Sequence, residues 1–312
     1  MRALVIGGDG FVGRHLIGEL ASTGCDVYAT SIEIDAFGIE LPRDHVFLLH
    51  LENVGQIRSV FKNCEPQWII NLAGQSSVGL SWSDPAKTVE LNVIGSINLI
   101  ESMRTLGLDA RMLLIGSSEE YGAVLPSEVP IAESHPLKPA NPYAISKVIQ
   151  EEFGRLYFQA YRLKILMARS FNHIGAGQNL GFVVPDFCKQ IVRIERESSE
   201  TAIRVGNIDA MRDFTDVRDV VRAYEMILRL GQTGHVYNVG SGKATRVGSL
   251  LEALISFSSK KIEIRIDEEK YRPLDVPIIS ANIERIRSDT GWSPMIPLEQ
   301  SLKDALQYWR NR

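Results

Sequence analysis

The sequence predicts an α/β fold: a Rossmann-type, doubly wound parallel sheet with a smaller C-terminal α/β region. Three observations carry that prediction. Short continuous apolar runs, such as Ala3-Leu4-Val5-Ile6 and Met112-Leu113-Leu114-Ile115, have the pattern of strands buried on both faces. Stretches of helical periodicity alternate with these runs, which implies parallel pairing through helical crossovers. The first run also passes directly into a glycine-spaced turn that opens a helix.

That turn is Gly7-Gly8-Asp9-Gly10-Phe11-Val12-Gly13, ahead of the helical Arg14-His15-Leu16-Ile17-Gly18-Glu19-Leu20. Gly7 suits a tight turn, Gly10 lets the backbone approach a pyrophosphate, and Gly13 permits close helix–strand packing. Phosphates would meet the helix N-terminus, where free N–H groups and the helix dipole favour anions. Strand, glycine turn and helix in this order point to a dinucleotide cofactor. The second strand, Asp26-Val27-Tyr28-Ala29-Thr30, ends at Ser31. An acidic residue there would bind the ribose 2′-hydroxyl and mark NAD. Ser31 is not acidic, Glu33 follows two residues later, and no nearby arginine stands ready for a 2′-phosphate. Thr30 and Ser31 could donate hydrogen bonds to that phosphate, so the sequence favours NADPH over NADH. His50-Leu51-Glu52-Asn53, after the third strand, falls either near the adenine or at a solvated strand end.

Trp68-Ile69-Ile70-Asn71-Leu72-Ala73-Gly74 is the fourth strand, and its small terminal residues leave space for a cofactor. Pro85 opens a long helix with Leu91, Ile94, Ile97, Leu99 and Met103 spaced for a buried face. Asn92 and Asn98 read either as surface positions of that helix or as packing behind the cofactor. The fifth strand ends in Gly116-Ser117-Ser118-Glu119-Glu120-Tyr121-Gly122. Ligands of a doubly wound sheet bind at the carboxyl ends of its strands, where Ser117, Glu119 and the Asn71–Gly74 turn all fall.

The next helix starts in Asn141-Pro142-Tyr143-Ala144-Ile145-Ser146-Lys147. Pro142 suits a first helical turn. Tyr143 and Lys147 then share one face, a turn apart. A lysine ammonium near a phenol lowers a pKa that starts near ~10, making Tyr143 a proton donor or acceptor near neutral pH. Alone, the pair also fits an ordinary amphipathic helix start. Following the Ser117 strand, it can converge into a Ser–Tyr–Lys group.

Composition narrows the function classes. A net charge of −4 with no polybasic run gives no support for nucleic-acid or membrane-surface binding. The longest apolar stretches are strand-length, well short of a membrane span. Cys25, Cys64 and Cys188 are scattered, as are the 6 histidines, so no metal site is expected. The cysteines are expected to be reduced and structural in a cytoplasmic protein, since Met1 leads straight into a strand with no signal peptide.

Together these residues resemble the extended short-chain dehydrogenase/reductases that act on nucleotide sugars. The resemblance spans essentially the whole chain and rests on Gly7-x-x-Gly10-x-x-Gly13, Asn71-Leu72-Ala73, Asn92-x-x-Gly95, Ser117 to Gly122 and Tyr143-x-x-x-Lys147. It implies Ser117, Tyr143 and Lys147 as catalytic residues, with Glu119 where the dehydratases of the family keep a base. It implies NADPH or NADH held by Gly7, Gly10, Phe11, Val12, Gly13, Ser31, Leu51, Leu72, Ala73, Gly74 and Asn92, with Tyr143 and Lys147. Substrate contacts are implied for Ser76, Ser118, Asn172, Val183, Lys189, Asn207, Arg212, Arg272 and Asp275. The chain departs from the family pattern at Ser31, usually acidic, and at His50, usually Asp.

A diphosphate wants the planar fork of arginine. Arg212 and the Arg272-Pro273-Leu274-Asp275 run match the family's phosphate and ribose contacts. Arg218 and Asp219 read either as part of that set or as a structural ion pair at a helix start. The resemblance divides the chain into a cofactor domain at 1–170 and a sugar-nucleotide domain at 171–312. Residues around 207–240 are expected to return to the first, so the two interleave. A homodimer through the helices holding Asn92 and Tyr143 is expected.

Asn172-His173 and Gly206-Asn207-Ile208-Asp209-Ala210 are most similar to the GDP-mannose branch. The implied reaction is reduction of the C4 ketone of GDP-4-dehydro-6-deoxy-D-mannose to GDP-D-rhamnose. Glu119 keeps 4,6-dehydration of GDP-mannose open. Against dehydration, Tyr28 to Asp35 contains no arginine where dehydratases carry an arginine-rich loop, and residues 174–182 lack their paired arginines. An epimerase on the same scaffold, or a cofactor-binding sensor without catalysis, are the remaining alternatives. Intact Ser117, Tyr143 and Lys147 argue against the sensor.

Overall fold

The computed structural model describes residues 1–33, 41–197, 201–267, 269 and 276–312. In chain order its strands are β1 (Arg2–Ile6), β2 (Asp26–Ser31), β3 (Val46–Leu48), β4 (Trp68–Asn71), β5 (Arg111–Ser117) and β6 (Lys164–Ser170). They continue as β7 (Asn172–Ile174), β8 (Ala202–Val205), β9 (Met211–Asp216), β10 (Val236–Val239), β11 (Ala244–Arg246) and β12 (Glu263–Ile266). The helices of the first half are α1 (Phe11–Ser22), α2 (Val54–Cys64), α3 (Val78–Ser83), α4 (Pro85–Val89), α5 (Gly95–Thr105) and α6 (Pro142–Tyr161). Those of the second half are α7 (Val183–Arg196), α8 (Val217–Leu230), α9 (Val247–Ser256), α10 (Glu284–Thr290) and α11 (Leu298–Arg310).

The largest sheet has the order β10-β6-β5-β4-β1-β2-β3, with every pairing parallel. Successive side chains of a strand point to opposite faces, and β1 shows what that demands. Ala3 and Val5 join a cluster with Leu16, Ile17 and Leu20 of α1 and Val220 and Ile227 of α8. Leu4 and Ile6 join the opposite cluster, with Ile57 and Phe61 of α2 and Leu99 and Met103 of α5. Both faces are apolar because helices cover both faces. Each fully buried Leu, Val or Ile contributes about 1.5–3 kcal/mol.

The strand order reverses between β1 and β4, which opens a crevice at their carboxyl ends. The glycine turn follows β1 there, Leu72–Gly74 follows β4, and Ser117 closes β5. After β6 the chain builds the smaller sheet β11-β9-β7 and the pair β12-β8. These pack around an apolar cluster drawn largely from α7, α9 and α11. Between them, α8 and β10 belong to the large sheet and its covering layer. Among the described residues, no helix is long and apolar enough to cross a membrane.

Two elements differ from the periodicity. The long helix expected from Pro85 is broken into α4, a π segment at Glu90–Ile94, and α5. The fourth strand ends at Asn71, so Leu72–Gly74 form a turn. Asn92, in the π segment, links both departures.

Candidate active site

At the first turn, Gly7 has φ +80°, and a Cβ there would lie 3.0 Å from the Ala73 amide nitrogen. A Cβ on Gly13 would stand 2.4 Å from the Gly7 carbonyl oxygen. Glycine at both positions lets the turn after β1 nest between α1 and the turn after β4. Gly10 caps α1 with no side-chain hydrogen bond, leaving first-turn N–H groups for an anion. Phe11 and Val12 pack onto the core beside the turn. The Phe11 ring stacks on His173 with centroids 6.1 Å apart, joining this turn to β7.

The end of β2 carries the two hydroxyls expected to meet a 2′-phosphate. Thr30 Oγ1 accepts a hydrogen bond from the Gly7 amide at 3.2 Å. The buried Ser31 hydroxyl lies 3.0 Å from the Asp9 carboxylate and 2.9 Å from the Glu33 carbonyl, and it accepts from the Glu33 amide. Both side chains are 2% exposed; the Ser31 hydroxyl is directed to Asp9 and Glu33, and Thr30 is the acceptor in its contact with Gly7. Of the two hydroxyls expected to donate to a 2′-phosphate, Ser31 is thus directed into the protein.

The turn after β4 is held by Asn92, which is fully buried. Its side chain accepts from the Gln75 amide at 2.8 Å and donates to the Gln75 carbonyl at 3.0 Å and the Ser146 hydroxyl at 2.9 Å. The π segment carries this residue, and its inserted position is the kind of irregularity that marks functional sites. Asn92 thus stands behind the Leu72–Gly74 turn and ties it to α6. Asn98 donates to the Leu51 carbonyl at 2.8 Å and holds the turn after β3. Neither asparagine is a free surface residue.

Ser117, Tyr143 and Lys147 come together as expected, and all three are nearly buried at 8–9% exposure. Asn141 starts α6 by accepting from the Ala144 amide at 2.8 Å, with Pro142 in the first turn. The same Asn141 side chain donates to the Glu119 carboxylate at 3.0 Å, joining the helix start to the end of β5. Sequence reasoning did not give Asn141 this double role, although an asparagine before a proline at a helix start signals a cap.

The electrostatics differ from the sequence expectation. Burial pushes the Tyr143 phenol well above its usual pKa, and the Glu120, Glu119 and Tyr224 charges push the same way. A hydrogen bond with Ser117 opposes them. Lys147 does not bond the phenol; its Nζ lies 5.9 Å from the ring centroid and donates to the Ile115 carbonyl at 2.8 Å and to Gln150 at 3.2 Å. Burial brings Lys147 down to about 8, against the Glu120 carboxylate, which raises it. Tyr143 is thus held as a neutral phenol, a proton donor rather than a ready base.

Glu120, which the sequence did not single out, lies beneath this group with no exposure. It accepts from the Ser117 amide at 2.7 Å, and a Cβ on Gly116 would stand 2.4 Å from the same oxygen. Burial pushes its carboxyl up to about 8, with Glu151 adding and Arg169 and Lys147 opposing. Arg169 is committed to Glu151 through contacts of 2.9 and 2.6 Å.

The substrate-side residues are less tightly built. Asn172 and Arg212 stand on the neighbouring strands β7 and β9. Asn207 caps its own turn by accepting from the Asp209 amide at 3.0 Å. Val183 begins α7, and Lys189 is exposed on it. Ser118 is buried and Ser76 exposed. Arg272 and Asp275 lie outside the described residues. Arg218 does not pair with Asp219; it bonds Asp216 and Asp304, each at 2.7 Å. Asp219 instead holds Arg222 and the Met295 and Ile296 amides. Both are structural ties at the start of α8. A groove of about 440 Å³ between α9 and α11 shares no residue with the Ser–Tyr–Lys group.

Residues 4–305 match the family described as GDP-mannose 4,6 dehydratase. A GDP-6-deoxy-D-mannose reductase of Pseudomonas aeruginosa is 34% identical over 100% of this chain and 98% of its own. A protein from Methanocaldococcus jannaschii described as a UDP-glucose 4-epimerase is 27% identical over 99% of this chain and 98% of its own. Among solved structures, RMD from Pseudomonas aeruginosa complexed with NADPH superposes with a TM-score of 0.89 at 33% identity, covering 100% of this chain and 99% of that one. The UDP-glucose 4-epimerase of Thermotoga maritima with UDP-glucose superposes at 0.86 and 27% identity, covering 100% and 99%. With the glycine turn, the Ser–Tyr–Lys group and the sheet order all in place, the chain belongs to the GDP-mannose 4,6-dehydratase family.

Proposed function

We propose that the chain reduces the C4 ketone of GDP-4-dehydro-6-deoxy-D-mannose with NAD(P)H, giving GDP-6-deoxy-D-mannose (GDP-D-rhamnose). The observation that carries this is a neutral, buried Tyr143 beside Ser117, in a chain alignable end to end with a GDP-6-deoxy-D-mannose reductase. The residues fit a dinucleotide, since Gly13 leaves a cradle that a Cβ would fill and α1 begins without a side-chain cap. Gly7, Gly10, Leu51, Ala73 and Lys147 would hold it. A reduced nicotinamide bound there supplies the hydride.

The chain's own residues manage the oxygen. Ser117 donates a hydrogen bond to the ketone oxygen and stabilises charge developing on it. Tyr143 gives that oxygen its phenolic proton. The Lys147 ammonium beneath the ring favours the phenolate left behind. Arg212 meets the diphosphate, with Asn172, Asn207 and Lys189 around the nucleotide sugar. Arg272 and Asp275 add a second phosphate contact and a ribose contact.

GDP-mannose 4,6-dehydration is the second reading, favoured by Glu119 standing close enough for its charge to act on Tyr143. The two separate in one assay. Reductase activity consumes NADH or NADPH stoichiometrically when the 4-keto sugar nucleotide is added. Dehydratase activity converts GDP-mannose with no net consumption, and that outcome would replace the reductase reading.

The exposed Val89, Ile94, Ile145 and Leu156 form apolar surface on α4, the π segment and α6. A homodimer joined through these helices would cover it. Free Cys25, Cys64 and Cys188 fit a reducing, cytoplasmic setting.

A further inference from the structure

We propose that Asp9, in the glycine turn, sets the cofactor preference and selects NADH over NADPH. The inference rests on the dinucleotide reading of the crevice and deepens it. The residue closing the second strand of a doubly wound sheet faces the adenosine ribose, and an acidic side chain there binds the 2′-hydroxyl. In this chain that residue is Ser31, too short to reach a ribose and 2% exposed.

Its hydroxyl lies 3.0 Å from Oδ2 of Asp9. A carboxylate from the neighbouring turn therefore stands at the end of β2, where the strand itself supplies none. Asp9 is half-buried rather than covered. Among the described residues no second hydrogen bond to its carboxylate is present, so it retains acceptor capacity for a sugar hydroxyl.

The same position is hostile to a 2′-phosphate. A phosphate dianion next to a carboxylate meets like-charge repulsion. Arg14 directs its Nε to the Asp9 backbone carbonyl at 2.8 Å. From Thr30 to Pro42 the sequence carries Glu33, Asp35 and Glu40 and neither lysine nor arginine. Ser31 is directed to Asp9 and Glu33, and Thr30, buried at 2% exposure, accepts from the Gly7 amide.

The test is equilibrium binding of each dinucleotide to the purified full chain, followed by fluorescence of the bound reduced nicotinamide. NADH is expected to bind at least about tenfold more tightly than NADPH, a difference on the scale of one suppressed charge contact. In both Asp9→Asn and Asp9→Ser the NADH:NADPH ratio should shrink, through weaker NADH and stronger NADPH binding. Circular dichroism confirms that each variant is folded. Equal or tighter NADPH binding by the unmodified chain overturns the inference and leaves the dinucleotide site standing. An unchanged ratio in both folded variants also overturns it. If neither dinucleotide binds the unmodified chain, the cofactor reading itself falls.

Discussion

The cofactor-facing and substrate-facing halves of this site are built in different ways. On the cofactor side, the determining groups are backbone and buried side chains: Gly7, Gly13, Asn92, Ser117 and Lys147. Each is fixed by contacts that a substitution cannot avoid disturbing. On the substrate side, Asn172 and Lys189 are exposed and Asn207 and Arg212 half-exposed, on short strands, a helix surface and a turn. The difference separates chemistry from selection. On the proposed reading, the rigid half orients the reacting groups, and the open half recognises which nucleotide sugar is delivered to them.

Tyr143→Phe presses hardest on that division. Losing the proton donor is expected to lower kcat by roughly 10²- to 10⁴-fold while dinucleotide affinity stays within about twofold of the parent, the phenol being one contact among many. Retention of full activity would remove Tyr143 from its role. Arg212→Ala tests the other half. Removing a charge-assisted phosphate contact should raise KM for the sugar nucleotide by roughly 10- to 100-fold, with dinucleotide affinity unchanged. A parallel loss of cofactor binding would show that the halves are not separable in this way.

Glu120→Gln is the smallest and sharpest change, because it keeps an acceptor for the Ser117 amide and removes the charge. Burial raises the Glu120 carboxyl to about 8 in the folded chain. Between its unfolded value and about pH 8, the folded state holds a proton that the unfolded state releases. Its stabilisation is complete at low pH and is lost as pH rises through about 8, at up to about 1.4 kcal/mol per pH unit. Lys147, lowered to about 8, works in the opposite sense at higher pH, where stability rises until its unfolded value is passed. Thermal melts from pH 5 to pH 8 should therefore show a flatter decline for the variant. Identical slopes would mean that Glu120 does not titrate in that window.

The same contrast explains how much could be read from the sequence. Gly7, Gly10 and Gly13 were legible because turn geometry and close approach admit few residue types. Tyr143 and Lys147 were legible because helix spacing puts them on one face. What periodicity could not supply was long-range partnering. Asn92 reads either as a helix-surface position or as packing behind the cofactor, and only the π segment, which turns it toward Gln75 and Ser146, decides between them. No spacing rule marks Glu120 as the buried one of two adjacent acids, of which only Glu119 is partly exposed. Tyr143 was expected to be acidified by Lys147, but burial outweighs a lysine that bonds a backbone carbonyl instead. Asp9 went unnoticed because its partner Ser31 is 22 residues away. On the substrate side only the resemblance spoke, since an exposed asparagine or lysine has no spacing rule to mark it.

On the proposed reading, this site delivers a hydride to the sugar C4 and a proton from Tyr143 to its oxygen. The most direct measurement uses reduced nicotinamide carrying deuterium at the transferable position, with GDP-4-dehydro-6-deoxy-D-mannose as the acceptor. NMR of the product should place the label on C4 of GDP-6-deoxy-D-mannose, one per cofactor oxidised. Unlabelled product, or a ketone left intact while GDP-mannose is dehydrated in its place, would contradict the assignment.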